Sequence, residues 1–253
     1  MTATIAPAKL PVILLYNIDP GWTPEEKDEA IKQSAELGDA LRCTGHPTTL
    51  VTVTDNDIAE QLRPFDPAKY IVFNWCEELP GIPHSEWKVA KQLESLGYTF
   101  TGADSAALLL AQDKQRVKAL LDQCAIPTPA WKIFDAPDPQ CWKIFPAIVK
   151  PQNEHCSAGI TPESVVLQPT DLQKRITFVL DHYAQPALVE DFIDGREFHV
   201  AVWGNETVNV LPAAEMDFSR FGDLNDRLCT YEAKFTPGSL HYEEIKTLLP
   251  APL

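Results

Sequence analysis

The sequence has little that suits a membrane, a nucleic acid or a metal cluster. Its longest apolar run, Ala106 to Ala111, is far too short to cross a bilayer, and the amino terminus has no apolar core long enough for a secretion signal. Lysine and arginine number 21 against 36 acidic residues, and the resulting formal charge of -15 disfavours nucleic acid as a partner. The six cysteines show no C-x-x-C pair and no Cys/His ligand spacing, which favours reduced thiols in a cytoplasmic protein.

Glycine is also scarce, with 11 glycines against 22 prolines, and this ratio indicates many sharply ended elements. A chain of 253 residues is long enough for two compact lobes or for one extended α/β unit. The acidic balance does not exclude a nucleotide as a ligand, because a nucleotide site needs only two or three local cations.

The first hundred residues alternate apolar runs with helical patterns. The run P-V-I-L-L-Y suits a strand that is covered on both faces, as in a parallel sheet. Thr23, Pro24 and Glu26 form the pattern of a capped helix start, and Ser85 is expected to cap a second helix at 86–96. Strands are predicted at 11–16, 48–53, 70–74 and 98–102. This order predicts a Rossmann-like α/β half-domain.

The middle of the chain predicts a small α+β lobe. An amphipathic helix is expected at 113–124, with an apolar face at Val117, Leu120, Leu121 and Cys124. Lys114 and Lys118 share another face of that helix, which by itself is typical of a solvated surface. Strands are expected at 131–134, 146–149, 164–168 and 186–193, with a helix at 171–183 capped by Thr170. An antiparallel hairpin is then expected at 196–204 and 206–212.

The stretch F-P-A-I-V-K-P-Q-N-E-H-C-S-A-G-I, residues 145–160, combines a buried strand, a lysine and a polar loop. Lys150 comes at the strand's end, where its ammonium group needs an anionic partner. The loop ends in Gly159, and its backbone N–H groups and the Ser157 hydroxyl can close over phosphate oxygens. The stretch is therefore consistent with a nucleotide site, although a lysine at a strand end also suits a plain solvated boundary.

Eight segments in order resemble the ATP-grasp superfamily, in its D-alanine–D-alanine ligase-like branch. They are F-N-W-C-E-E-L-P-G, L-G-Y-T-F-T-G-A-D-S, A-Q-D-K-Q-R-V-K-A-L-L, I-P-T-P, A-I-V-K-P-Q-N-E-H-C-S-A-G-I, L-V-E-D-F-I-D-G-R-E-F-H-V-A-V-W-G, L-P-A-A-E-M and Y-E-A-K-F. The resemblance covers nearly the whole chain. It implies an α/β ATP-grasp fold with a Rossmann-like amino-terminal domain at 1–103, a small lobe at 104–189 and an incomplete large lobe at 190–253.

The resemblance also implies roles for individual residues in binding ATP. Lys114 resembles the lysine that reaches the α-phosphate, and Lys150 the lysine near the adenine ring and phosphates. Ser157 and Gly159 lie in the segment that resembles the phosphate-covering loop. Glu190, Asp191, Phe192 and Ile193 resemble the adenine hinge, Glu197 the acid that holds the ribose hydroxyls, and Lys234 the lysine directed at the terminal phosphates. Before the resemblance is considered, Glu197 equally suits a strand-edge charge and Lys234 a surface cation.

The reaction that the resemblance implies is ATP-dependent ligation of a carboxylate to an amine through an acyl phosphate, with Lys150 and Lys234 as the catalytic lysines. The implied partners are small-molecule carboxylate and amine substrates. The resemblance also leaves open that the protein forms a homodimer. Magnesium is implied as well, but the family's metal ligands lie beyond the P-A-P-L segment in which this chain ends, so no metal ligand is assigned. The nearest acids in order are Glu215 and Asp217.

Two departures from the family bear on the substrate. Cys156 and Phe235 stand where D-alanine ligases have a serine and a tyrosine, which favours another amino-acid-like substrate. The neighbouring His155 and Cys156 also allow a thiol nucleophile, but no third orienting group is visible and an ordinary loop thiol is favoured. Two alternatives to the ligase remain: a nucleotide-binding protein without catalysis, and an α/β interaction module without a ligand.

Overall fold

The computed structural model describes residues 9–253, and it divides the chain into two compact units, Met1–Ala111 and Gln112–Leu253. Residues 1–8 lie outside the described residues, and so does the part of the amino terminus in which no secretion signal is predicted. Among the described residues, no helix is both long enough and apolar enough to cross a membrane. The predicted boundaries at 103 and 189 stay predictions.

The first unit contains a four-stranded parallel sheet, as the sequence predicts. The strands, in the order β2-β1-β3-β4, are β1 (Val12–Asn17), β2 (Thr48–Val53), β3 (Ile71–Trp75) and β4 (Thr99–Phe100). The helices are α1 (Pro24–Cys43), α2 (Ala59–Leu62), α3 (Glu86–Ser95) and α4 (Ser105–Gln112). All six residues of β1 are buried, which explains its continuous apolar run.

One of the two predicted helix caps in this unit is confirmed and the other is not. Thr23 and Glu26 form a complete capping box at the start of α1, with Pro24 in the first turn. Ser85 precedes α3 but makes no side-chain capping bond. Its hydroxyl instead accepts a hydrogen bond from the backbone N–H of Leu79 at 2.7 Å and donates to the Ile82 carbonyl, so it closes the preceding turn.

The second unit begins with helix α5 (Lys114–Gln123) and a four-stranded antiparallel sheet. The strands, in the order β5-β8-β6-β7, are β5 (Trp131–Phe134), β6 (Ala147–Pro151), β7 (Val165–Val166) and β8 (Ala187–Asp191). Helix α6 (Pro169–Tyr183) covers one face of this sheet and buries Leu172, Ile176 and Val179. It begins two residues before the predicted start, because Pro169 suits the first helical turn, and Gln168 rather than Thr170 is the cap residue.

The rest of the second unit contains a second sheet and a short hairpin. The sheet has the order β13-β12-β9, formed by β9 (Glu197–His199), β12 (Ala214–Asp217) and β13 (Lys246–Leu248), and the hairpin pairs β10 (Val202–Trp203) with β11 (Asn209–Val210). Two short helices, α7 (Tyr231–Phe235) and α8 (Leu240–Glu244), lie between β12 and β13. The predicted hairpin is therefore shorter than expected, because the first part of its first strand pairs with β12 instead of β11.

Candidate functional site

Five of the residues predicted to bind ATP line one cavity in the second unit. The cavity has a volume of about 280 Å³. Lys114, Lys150, Ser157, Glu197 and Lys234 all contribute to its wall. They come from the start of α5, the end of β6, the loop after β6, the start of β9 and α7, so positions far apart in sequence meet at one place.

Lys150 lies near the end of β6, the strand between β8 and β7 in the sheet, and its side chain contributes to the cavity wall. In this register Ile148 is opposite Glu190, and the ammonium group of Lys150 forms an ion pair with the Glu190 carboxylate. The Lys150 side chain is 28% exposed, whereas that of Glu190 is 8% exposed. The anionic partner that a lysine at this strand end requires is thus a buried acid on the neighbouring strand.

Glu190 has a second lysine partner, Lys118, which the sequence suggested was a solvated helix residue. That expectation is wrong: Lys118 is 8% exposed, and its Nζ lies 2.5 Å from the second carboxylate oxygen of Glu190. Lys118 also donates to the Thr128 hydroxyl. Burial raises the pKa of Glu190, but attraction to Lys150 and the hydrogen bonds from both lysines outweigh burial, and the pKa lies below its ordinary value. Glu190 is therefore a carboxylate between two ammonium groups.

Lys114 is the first residue of α5, and the Asp113 side chain caps the helix by accepting from the N–H of Arg116. The Lys114 ammonium donates to the backbone carbonyls of Glu154 and Gln152. Burial and, next, repulsion from Lys150 lower the pKa of Lys114 to about 8. Its charge therefore titrates just above neutral pH.

The loop after β6 is held in place by contacts at both of its predicted phosphate-binding residues. The Ser157 hydroxyl donates to the Cys229 carbonyl at 2.8 Å. Gly159 has φ +74, and a Cβ there would lie 2.7 Å from Pro151 and 2.9 Å from the Tyr183 ring, so only glycine fits without movement. Gly159 does not line the cavity itself, and its part is to let the loop pass close to β6.

Arg175 anchors the same loop and was missed by the sequence reasoning. It is 8% exposed, and its Nη2 donates to the Gly159 carbonyl at 2.7 Å and to the Ser164 hydroxyl at 2.8 Å. Burial lowers the pKa of Arg175, and attraction to Glu163 opposes that effect. The available signal was an arginine inside the apolar stripe of α6, between Leu172 and Ile176.

The predicted hinge, Glu190 to Ile193, does not line the cavity wall. The N–H of Asp191 donates to the Ala130 carbonyl at 2.9 Å, and the N–H of Phe192 donates to the Pro146 carbonyl at 3.0 Å. Ile193 is 62% exposed, whereas Phe192 packs against a small cluster that contains Ile148. The hinge therefore borders the apolar end of the cavity through Ile148, and both of these backbone donors already have partners within the protein.

Glu197, Lys234 and Cys229 also contribute to the cavity wall. Glu197 begins β9, and its carboxylate lies 3.0 Å from Nε2 of His199. Lys234 lies in α7, whose first residue, Tyr231, donates its N–H to the Ile160 carbonyl. This contact and the Ser157 bond connect the loop directly to the wall that carries Lys234.

Glu215 and Asp217, the acids nearest in sequence order to the family's metal ligands, both have partners within the protein. Both oxygens of Glu215 accept hydrogen bonds from Arg196 at 2.6 Å, and Asp217 accepts from the N–H of Ser219. Over residues 9–253 there is no group of three or more His, Cys, Asp or Glu side chains that could hold a metal ion. The described residues therefore do not fit a magnesium site.

The two residues that depart from the family pattern have different surroundings. Cys156 is exposed on the cavity loop, and its Sγ lies 3.3 Å from Nδ1 of His155. Phe235 ends α7, is 50% exposed and packs against the Tyr231 ring. Cys156 thus lies at the cavity, whereas Phe235 does not contribute to its wall.

Comparisons of both the sequence and the fold match this chain to D-alanine–D-alanine ligases. The family model "D-ala D-ala ligase C-terminus" matches residues 122–252, slightly more than half of the chain. An uncharacterized protein of Sinorhizobium fredii, y4sG, is 34% identical over 82% of this chain and 60% of its own length. The D-alanine–D-alanine ligase of Desulforudis audaxviator is 29% identical over 86% of this chain and 68% of its own length.

Solved structures agree at the level of the fold. The D-alanine–D-alanine ligase of Bacillus anthracis complexed with ATP superposes with a TM-score of 0.62 at 20% identity, over 83% of this chain and 64% of that one. The chain thus spans about two thirds of the length of the relatives that it matches. It belongs to the D-alanine–D-alanine ligase-like family of the ATP-grasp superfamily.

Proposed function

We propose that this protein is an ATP-dependent ligase that joins the carboxylate of one amino-acid-like substrate to the amine of another. The observation that carries the proposal is the single cavity lined by three lysines from three separate elements, Lys114, Lys150 and Lys234. Three ammonium groups at one cavity repel one another, and the Glu190 carboxylate offsets only part of that charge, so the cavity suits an anionic ligand.

The chemistry of the cavity suits the phosphates and ribose of ATP. The triphosphate carries about four negative charges, which three ammonium groups can largely neutralise. Glu197 supplies an acceptor for ribose hydroxyls, and Ile148, Ile160 and Leu228 form an apolar side near the hinge. The volume of about 280 Å³ is just below the range of about 300–1,000 Å³ for complete ligand sites, so it suits part of the nucleotide in this conformation.

The proposed reaction has two steps that need charge neutralisation. A carboxylate oxygen of the first substrate attacks the γ-phosphorus, and the bond to the ADP oxygen breaks, which gives an acyl phosphate. The amine of the second substrate then attacks the acyl carbon, and phosphate leaves as the amide forms. Lys150 and Lys234 would hold the phosphate oxygens during transfer, while the Glu190 carboxylate fixes the position of Lys150.

The family also implies magnesium, which would neutralise phosphate charge alongside the lysines. The described residues do not supply a fitting set of ligands, so no step of the proposed mechanism is assigned to the metal.

The relatives support ligation more than binding without catalysis, because the relatives with a named activity are ligases. Cys156 and Phe235 replace the serine and tyrosine of the D-alanine enzymes, so we expect a substrate pair other than two D-alanines. These two replacements are the only basis for that expectation about the substrate.

The test combines nucleotide binding with turnover. We expect ATP and Mg²⁺ to raise the melting temperature of the protein by several degrees, since a ligand at about 100 times its dissociation constant stabilises by about 2.7 kcal/mol. Lys150→Ala and Lys234→Ala should abolish this rise, whereas Lys174→Ala, an exposed lysine outside the cavity, should keep it. ADP release with a panel of amino-acid pairs then measures ligation. An unchanged melting temperature with ATP in the wild type would remove the basis of the proposal.

A further inference from the structure

Two thiols that the proposed ligase reaction does not use line the cavity. Cys156 lies on the loop and Cys229 on a neighbouring segment of the cavity wall, and neither forms a disulfide. The other four cysteines, at positions 43, 76, 124 and 141, do not contribute to this wall. The chain therefore has one pair of thiols at a site where a small molecule can enter.

Cys156 is placed to react first. It is exposed, and the imidazole Nδ1 of His155 lies 3.3 Å from its Sγ, close enough to take the thiol proton. Lys114, Lys150 and Lys234 line the same cavity together with Glu154 and Glu197, so a hydroxide that leaves the peroxide has ammonium groups nearby as well as carboxylates.

Cys229 is placed to react second. Burial raises the pKa of Cys229, repulsion by Glu197 raises it further, and attraction to Lys234 only partly opposes them. Cys229 therefore forms its thiolate less readily than an ordinary thiol and reacts more slowly with an oxidant, which leaves the exposed Cys156 as the thiol that the oxidant meets first.

The backbone brings the two segments into contact. The Ser157 hydroxyl donates to the Cys229 carbonyl at 2.8 Å, so the residue next to Cys156 already touches the backbone of Cys229. Cys156 and Ser157 have φ values of +51 and +62, which are unfavourable for residues with a side chain. A change of the loop conformation at these two positions would relieve that strain.

We propose that Cys156 is an oxidation site for small peroxides, and that Cys229 resolves the oxidised product into a disulfide that joins the loop to the neighbouring segment of the cavity wall. In the first step the Cys156 thiolate attacks one oxygen of hydrogen peroxide, the O–O bond breaks, and sulfenic acid and hydroxide form. In the second step the Cys229 sulfur attacks the sulfenic sulfur, and the S–O bond breaks with loss of water. The peroxide is the oxidant, and two thiols are oxidised for each peroxide reduced.

The effect of this disulfide on ligand binding rests on the proposed function, because a disulfide at the wall of the proposed nucleotide cavity would hinder ATP. Bound ATP should in turn shield Cys156. At an ATP concentration ten times its dissociation constant, about one molecule in eleven has a free cavity, so oxidation of Cys156 should slow about tenfold.

The experiment treats the reduced 253-residue chain with hydrogen peroxide, blocks the remaining thiols and maps the peptides by mass spectrometry. We expect a linked Cys156–Cys229 peptide that forms faster than Cys43 or Cys124, both exposed thiols, is oxidised. Cys229→Ser should stop the reaction at the sulfenic acid of Cys156, which a dimedone probe traps. Cys156→Ser should give no link. Oxidation of Cys156 no faster than that of Cys43 and Cys124, or the absence of the linked peptide, would overturn the proposal.

Nucleotide binding by the reduced protein is measured separately, which distinguishes the two proposals. If the linked peptide forms but reduced protein binds no ATP, the proposed function fails and the thiol site stands. If the reduced protein binds ATP and ATP does not slow the oxidation, the assignment of the pair to the nucleotide cavity fails.

Discussion

Lys114 is a cavity residue whose pKa lies close enough to neutral pH for its charge to change between pH 7 and pH 9. Its pKa of about 8 lies below the ordinary lysine value because the side chain is buried and Lys150 repels it. Below that pKa the ammonium is present for the phosphates, and above it the charge is lost. If ATP binds only to the protonated form, its dissociation constant should rise about tenfold between pH 7 and pH 9.

Titration calorimetry at the two pH values measures this change, and Lys114→Arg is the matched control. Arginine stays charged throughout this range, so the variant should show a nearly flat profile. An equal pH dependence in both proteins would assign the titration to another group.

Glu190 is a residue whose removal should cost stability as well as binding. Glu190→Gln leaves the buried Lys118 and the half-buried Lys150 without a counter-charge, and breaking a buried ion pair costs about 3–5 kcal/mol. We therefore expect the free energy of unfolding, measured in urea, to fall by about 3 kcal/mol. Asp171→Asn, in the exposed pair with Lys174, should change it by about 1 kcal/mol or less. Similar losses for the two variants would contradict the buried-pair interpretation.

At the scale of elements, the loop after β6 depends on a glycine for its path. Gly159→Ala would place a Cβ 2.7 Å from Pro151 and 2.9 Å from the Tyr183 ring, so the loop must move away from β6. We expect ATP binding to weaken by about tenfold while the circular dichroism spectrum is retained, since a loop shift removes phosphate contacts that cost about 1.4 kcal/mol together.

Gly97→Ala is the matched control for this loop prediction. Gly97 also has a positive φ, +78, but no atom lies within 4 Å of the added Cβ. This variant should lose about 1 kcal/mol of stability from backbone strain and keep its affinity for ATP. Equal affinities in the Gly159 and Gly97 variants would show that the path of the loop does not matter for binding.

The elements also show where the sequence was informative. The apolar run of β1 and the capping box of α1 are local signals, and the structure has both where they were expected. The surroundings of Lys118 are not local, because its partner Glu190 is on β8, 72 positions later, and an amphipathic pattern contains no information about that pairing. The amphipathic pattern of α5 predicts that Leu120 lies on the apolar face. In the structure Leu120 is 42% exposed, and Lys118 is buried.

The candidate site also contains residues that were predicted and one that was not. The resemblance supplied the five predicted residues that line the cavity, since ordered motifs carry information about residues distant in sequence. It did not supply Arg175, whose guanidinium group donates a hydrogen bond to the Gly159 carbonyl. A buried arginine in an apolar helix stripe is a visible departure from the pattern, but its partner depends on the tertiary path of the loop.

At the scale of the whole molecule, all residues of the proposed ATP cavity belong to the second unit, Gln112–Leu253. ATP alone should therefore slow hydrogen exchange in the loop at 152–161 and in the segment at 228–235, and leave the amides of β1 to β4 unchanged. With ATP at ten times its dissociation constant, local opening of these segments should become about tenfold less frequent. Lys150→Ala, which lacks one of the three cavity lysines, should show little of this protection. Protection that is equally strong in β1 to β4 would mean that ATP also stabilises the first unit, and the cavity residues of the second unit would not account for the whole binding site.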